Sequence, residues 1–500
     1  MKQRGCMKKK EEKVRLHRRK EVDDVDILHT VSYDKQNVYS LEPTNKALPR
    51  RVVNVLYVAH VAVGFWRTTF DAVLPLMLKD ERFTGHVDAS TMITVLGYGT
   101  FAYVLGKTFA GLCVDQVITR FGAKVVLVLG LASPALASAI IGTLVYTLAS
   151  TFAEGAMTFL IVCFCAGRVF EANVYPSMTR TVQLWFSPED SARACVVLST
   201  STRVGYISAD ILYGALIELG FNWGQLFLAT SGFLFLAICL VFAFLPCEPP
   251  QNVAAAEANT REEESKQLIH LQNQPQAPQG RGGANEGYWL AMVKRRIFWG
   301  ILITVGALTS MGKIKSLAPL FLNKYVGLSA GYSRMATSLF SVGAVVSALV
   351  GGYVWPKLSP TSRTKLVGGL TAILAASFAS LAFMVQTGTR SGFLSVALLL
   401  VVGLSFGLPY YVPSNVFAVA FGKHNSGGVT AVLDVFGYGC EILLLILTSY
   451  ILQHSSAKDC DPGSDCANGF AQYWMLYSVV SCIGCVSATY FMHLAGAQVQ

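Results

Sequence analysis

The sequence predicts an all-α membrane protein of about twelve transmembrane helices, divided six and six. Three observations predict it. The 500 residues are 53% hydrophobic and only 14% charged, with mean hydropathy +0.47, whereas a soluble domain carries about a quarter charged residues. Long apolar windows recur along almost the whole chain, each at or above the roughly 20 residues a helix needs to cross a bilayer. One polar interval, EPPQNVAAAEANTREEESKQLIHLQNQPQAPQGRGGANEG, splits that series in the middle. Its Gln, Pro, Gly and charge, with few large apolar residues, give it the composition of a disordered linker.

The elements follow in order. A basic tail covers 1–51; its start, MKQRGCMKKKEEKVRLHRRKEVDD, has no apolar core and does not read as a cleaved signal peptide. Its basic residues suit either a solvated tail or contact with anionic lipid. The first half, 52–246, holds spans near 52–78, 91–113, 122–148, 155–180, 192–218 and 223–246. The linker occupies 247–296. The second half, 297–496, holds spans near 297–323, 331–355, 365–386, 391–421, 427–453 and 470–495. Lys and Arg gather in the tail and in alternate loops, at Arg120 with Lys124, Arg180 with Arg193, Lys294 to Arg296, Lys357 with Arg363 and Lys365, and Lys423. The positive-inside rule then places both termini and the linker in the cytosol. The net charge of +10 follows from the same bias and calls for no nucleic-acid partner. Most of the twelve cysteines fall within spans, where Cys is a small buried hydrophobe. CDPGSDC is the exception: Cys460 and Cys466 lie in a loop on the non-cytosolic side, open to a disulfide or to two free thiols.

Ionisable residues inside the spans are the candidate functional groups, because each costs roughly 2.5–3.5 kcal/mol at the bilayer centre. GFWRTTFDAVLP, Gly64 to Pro75, carries Arg67 and Asp71. Arg67 has two readings: a bidentate ligand for a bound anion, or an i to i+4 ion pair with Asp71. Lys107 either meets substrate or extends its stem to the cytosolic interface. Arg203 either pairs with Asp210, seven residues on, or adds to the anion site. Arg168 and Glu171 are i to i+3 neighbours that satisfy each other, or Glu171 carries a proton. Asp434 and Glu441 share a face seven residues apart, with binding, titration and pairing all open. Asp71, Glu171 and Asp434 are the candidates for gating or proton coupling.

The second span ends in GKTFAGLCVDQVITRFGAK, with Gly111, Asp115 and Arg120 at the spacing of a helix-to-helix loop signature. This resembles the loop between helices two and three of the major facilitator superfamily. Further motifs resemble one branch, the organophosphate:phosphate antiporters, which include bacterial glycerol-3-phosphate and hexose-phosphate transporters and the eukaryotic glucose-6-phosphate transporter. RTTFDAVLPLML places Arg67, Phe70 and Pro75 on that family's first-helix pattern, and Lys107 falls on its membrane-embedded Lys. YPSMTRTVQLWFSPEDSARA carries Pro176, Arg180, Trp185 and Phe186, followed by LSTS from Leu198. GLPYYVP and VFGYG look like helices ten and eleven.

The resemblance covers about 350 residues and implies two six-helix bundles that alternate access to a midplane site. It also implies a phosphorylated metabolite exchanged for inorganic phosphate. Two departures stand out. The second-bundle Arg expected to face Arg67 falls on Met311, with Lys315 one turn along that face and Lys313 pointing elsewhere, and GGYVWPK has Pro356 where the family has Asp. The expected substrate ligands are therefore Arg67, Lys107, Arg203 and Lys315. No metal or cofactor is expected, and the chain is expected to act as a monomer in the bilayer. Two other classes stand beside exchange: proton-coupled transport of a non-phosphorylated carboxylate or sugar, and a transport-like receptor working through its tail and linker. No P-loop, metal cluster or nucleophile elbow appears in the sequence, which argues against an ATP-driven pump or an enzyme.

Overall fold

The computed structural model describes residues 47–83, 89–186, 188–245, 292–422, 426–453 and 464–499. Among them twelve helical rods follow one another. The first half contains α1 (Ala47–Met77), α2 (Ala89–Phe121), α3 (Ala123–Ile140, continued by a π turn over Ile141–Val145), the broken rod α4 (Ala153–Glu171) and α5 (Val174–Trp185), α6 (Pro188–Glu218) and α7 (Trp223–Phe244). The second contains the broken rod α8 (Arg296–Met311) and α9 (Ile314–Lys324), then α10 (Ala330–Val354), α11 (Pro360–Gln386), α12 (Gly392–Gly422), α13 (Ser426–Gln453) and α14 (Asp465–Val499). Helices are what a bilayer permits, since only they satisfy every backbone group within one segment. Among the described residues, nine rods are long and apolar enough to cross a membrane by length and composition. The other three, α1, α2 and α6, carry the charges already singled out: Arg67 and Asp71, Lys107 and Asp115, Arg203 and Asp210.

Small residues set the close crossings. Gly64 of α1 and Gly205 of α6 meet so tightly that a Cβ added at Gly64 would lie 2.7 Å from the Gly205 Cα, the kind of approach that replaces the missing hydrophobic drive between helices in lipid. In the second half, α11 lies along α14, α10 along α12, and α8 against α13 and α14. Phe321, Phe378, Tyr473, Trp474 and Tyr477 stack between them. The halves meet along three seams: α6 with α10, α2 with α13, and α1 with α9.

Helix ends differ slightly from the sequence reading. The first helix begins at Ala47, inside the stretch assigned to the tail, and the last runs to Val499. The rest of the tail and residues 247–291 of the linker lie outside the described residues. Because the described rods number twelve, Ala47 and Val499 lie on one face, here termed the terminal face; the opposite one is the far face. Near the far face Cys466 is disulfide-bonded, while Cys460 lies outside the described residues.

A charged clamp closes the far-face turn after α1. The Asp80 carboxylate accepts from Arg82 Nη2 at 2.6 Å and from Trp223 Nε1 at 2.7 Å, and the guanidinium lies 4.1 Å from the Tyr146 ring centre. Burial alone would raise the Asp80 carboxyl, but the Arg82 and Trp223 hydrogen bonds outweigh it and hold the group below its ordinary value of 3.8. Asp80 therefore contributes stability above pH 3.8, lost as the pH falls through the lower folded value. Asp80→Asn is expected to lower the melting temperature of the detergent-solubilised protein at pH 7. Below the lowered folded value the gap between variant and wild type is expected to close; a gap that persists there assigns the clamp to packing instead of charge.

Candidate functional site

Two of the rods break where the halves face each other. Between α4 and α5 the chain turns at Ala172–Asn173, and between α8 and α9 at Gly312–Lys313. Discontinuous helices release backbone groups, which a membrane protein tolerates where they line a cavity. The breaks place Arg168 and Glu171 at the end of α4, and Lys313 and Lys315 at the start of α9.

A cavity of about 60 Å³ lies at these breaks, with room for several waters. Its walls include five cations, Arg67, Arg168, Arg203, Lys313 and Lys315, one carboxylate, Glu441, and the phenols of Tyr206, Tyr410 and Tyr438. On the first-half wall Glu171, its side chain fully buried, accepts from Arg67 Nε on one oxygen and from Arg168 Nη1 at 2.6 Å on the other. Arg67 also donates to the Tyr103 hydroxyl at 3.2 Å. On the opposite wall Lys313 lies 3.4 Å from Glu441. Arg203 and Lys315, 7% and 6% exposed, have no carboxylate partner among the described residues. Arg203 donates to the Tyr411 hydroxyl at 2.7 Å and is ringed by Tyr206, Phe406 and Tyr410. The Lys315 ammonium sits 3.2 Å from the centre of the Tyr206 ring. Tyr206 thus touches both unpaired cations.

Further pairs tie the halves together beside the cavity. Lys107 lies 3.3 Å from Asp434 across the α2–α13 seam. Asp210 lies 2.5 Å from Arg334 across the α6–α10 seam. Nearer the far face, Glu218 at the end of α6 accepts from the Ser329 hydroxyl at 2.5 Å and from the Tyr332 amide at 3.3 Å, so it caps a helix of the other half.

Several sequence expectations are corrected. Arg67 does not pair with Asp71: its guanidinium turns to α4, and both Asp71 oxygens, on a residue 1% exposed, lack a hydrogen-bond partner among the described residues. Arg203 does not pair with Asp210, because seven residues at 1.5 Å each separate them by about 10 Å along the axis and Arg334 is nearer. Lys107 neither lines the cavity nor runs to the interface, since Asp434 holds it. Lys313 lines the cavity with Lys315; the face arithmetic that turned it away assumed an unbroken helix, and the chain breaks at that residue. The expected Arg168–Glu171 contact is present at 2.6 Å. Glu171 and Asp434, the candidates for proton coupling, are both engaged in ion pairs. Of the loop motif, Gly111 and Asp115 have no described side chain, and Arg120 is exposed and stacked on Phe121. Sequence reasoning passed over Arg334, although an Arg within the apolar run of α10 was a signal in itself. The phenols around Arg203 and Lys315 carry no comparable sequence signal.

Twelve rods in two halves around a charged cavity agree with a family match that spans residues 56–443, the Major Facilitator Superfamily. This chain belongs to that family of membrane transporters. It is similar to two Arabidopsis thaliana proteins named "Putative glycerol-3-phosphate transporter 5" and "Putative glycerol-3-phosphate transporter 2". Each is 23% identical, over 70% of this chain and 72% and 69% of their own lengths. Among solved structures it resembles a D-xylose-proton symporter, with TM-score 0.65 and 12% identity over 89% of this chain and 97% of that one. A peptide transporter solved with sulfate gives 0.61 and 13% over 90% and 95%. At such identities the structural likeness speaks to the fold of this multi-pass transporter and not to its cargo.

Proposed function

We propose that this transporter carries a small organophosphate dianion, exchanged for inorganic phosphate by alternating access between its halves. One observation carries the reading: Arg203 and Lys315 are buried in the central cavity and make no ion pair or hydrogen bond with a carboxylate among the described residues, Lys315 feeling only the field of Asp71 and Asp210. Charges held this way are costly unless a ligand answers them. Around the cavity and its flanking pairs, seven cations stand against five carboxylates, Asp71, Glu171, Asp210, Asp434 and Glu441. The excess of two positive charges matches a phosphate ester, which carries about −1.5 to −2 at neutral pH. Arg203 offers the planar fork that reads phosphate geometry and Lys315 a point charge. Arg67 and Arg168, held by Glu171, supply field instead of direct bonds in this conformation. The glycerol-3-phosphate names of the relatives support the same class of cargo.

Flux of labelled inorganic phosphate in proteoliposomes tests the reading. Unlabelled organophosphate on the opposite side is expected to accelerate it without a pH gradient. Flux that requires the gradient assigns the protein to proton-coupled transport. The loop charges place the terminal face in the cytosol, so tags at residues 1 and 270 are expected to be labelled only after that side is opened. We pair Cys460 with Cys466 on the same topology, in an oxidising compartment.

A further inference from the structure

We propose that Glu441 is the internal counter-anion of the empty cavity, and that its displacement by substrate loosens the α2–α13 seam. The inference rests on the anion reading above. Glu441 is 4% exposed and is the one carboxylate among the described residues lining the cavity. A single oxygen of it, Oε1, serves both halves: Lys313 of its own half lies 3.4 Å away, and the Thr100 hydroxyl of the other half donates to it at 3.1 Å.

The spacing along the seam gives this contact its leverage. Thr100 and Lys107 are seven residues apart on α2; Asp434 and Glu441 are seven apart on α13. Seven residues are two helical turns, so the antiparallel helices match Thr100 to Glu441 and Lys107 to Asp434. Tyr103 and Tyr438 meet between them edge to face at 5.0 Å. Glu441 faces the cavity, whereas Lys107 with Asp434 lies outside its lining. An arriving anion competes with Glu441 for Lys313 and repels its carboxylate. Oε1 then loses the cation that orients it toward Thr100, and the seam opens from the cavity end while the Lys107–Asp434 end holds. An empty carrier keeps Glu441 on Lys313 and Thr100 and stays locked. A loaded one is free to turn, which is what exchange without leak requires.

The test uses the full-length protein and inorganic phosphate as probe. Glu441→Gln removes the internal competitor and is expected to bind phosphate roughly tenfold tighter. In a Lys313→Ala background the effect of Glu441→Gln should differ from its effect in wild type, as a coupled pair demands. Thr100→Val leaves the Lys313–Glu441 pair in place: phosphate affinity should stay near wild type, while net efflux with no anion on the other side rises toward the exchange rate. If Glu441→Gln cannot be recovered folded, the Thr100→Val flux ratio decides alone. Unchanged affinity in Glu441→Gln and an unchanged flux ratio in Thr100→Val, with Arg203→Ala and Lys315→Ala still weakening binding, overturn the role of Glu441 and leave the anion site standing. No phosphate or organophosphate binding by wild type overturns both.

Discussion

Glu171→Gln is expected to abolish transport and to destabilise the protein by about 3–5 kcal/mol, the scale for breaking a buried ion pair from one side. The effect is large because one carboxylate answers two guanidiniums. Glu171 accepts from Arg67 and Arg168 on separate oxygens, with its own side chain fully buried. An amide in its place returns a neutral acceptor and a misplaced donor, and leaves the buried Arg168 and the part-buried Arg67 facing one another without an anion between them. Removing one of them should relieve part of the loss, so Glu171→Gln with Arg168→Met is expected to melt above Glu171→Gln alone. Thermal melting in detergent measures the stability and proteoliposome flux the activity. A Glu171→Gln protein as stable as wild type, transporting without dependence on pH, would show that the residue carries a proton and does not brace the cavity wall.

Arg203→Ala and Lys315→Ala are each expected to weaken phosphate binding by at least about tenfold while leaving the fold intact. A hydrogen bond to a charged group contributes about 1.5–3 kcal/mol, and about 1.4 kcal/mol is a factor of ten. Arg203 is surrounded by phenols, so its truncation strands no described carboxylate, whereas Lys315 lies in the field of Asp71 and Asp210 and its truncation leaves them with less compensating charge. Melting temperature is accordingly expected to hold or rise in Arg203→Ala and to fall in Lys315→Ala, though by less than in Glu171→Gln. Arg203→Lys should recover little affinity, because the guanidinium that bonds Tyr411 at 2.7 Å is a planar fork that an ammonium does not reproduce. Affinity measured by direct binding of labelled phosphate separates these outcomes from effects on turnover.

The helical membrane fold and all of the buried Asp, Glu, Lys and Arg but Arg334 were legible in the sequence for one physical reason. A bilayer enforces long apolar segments and penalises every charge within them, so departures stand out against the background. What those charges bind was not legible. Spacing along one helix shows which residues share a face, yet Arg67 finds its partner on α4, Asp210 on α10 and Lys107 on α13, and the sequence of one helix says nothing about which neighbour turns toward it. Lys313 shows the second limit. The Gly312–Lys313 break rotates the register of α9 against α8, so two lysines two residues apart reach one cavity. Asp434 and Glu441 show the reverse: their seven-residue spacing was evident, and its meaning emerged only when Thr100 and Lys107 proved to repeat it across the seam.

A structure of the full-length protein determined with inorganic phosphate or glycerol-3-phosphate tests the central claim most directly. The account predicts one anion in the cavity between the halves, within hydrogen-bond distance of the Arg203 guanidinium and the Lys315 ammonium. Lys315 would then have left the face of Tyr206, and Glu171 would still hold Arg67 and Arg168. An anion seated away from both cations, or a cavity that stays empty while the same preparation exchanges phosphate, would contradict it.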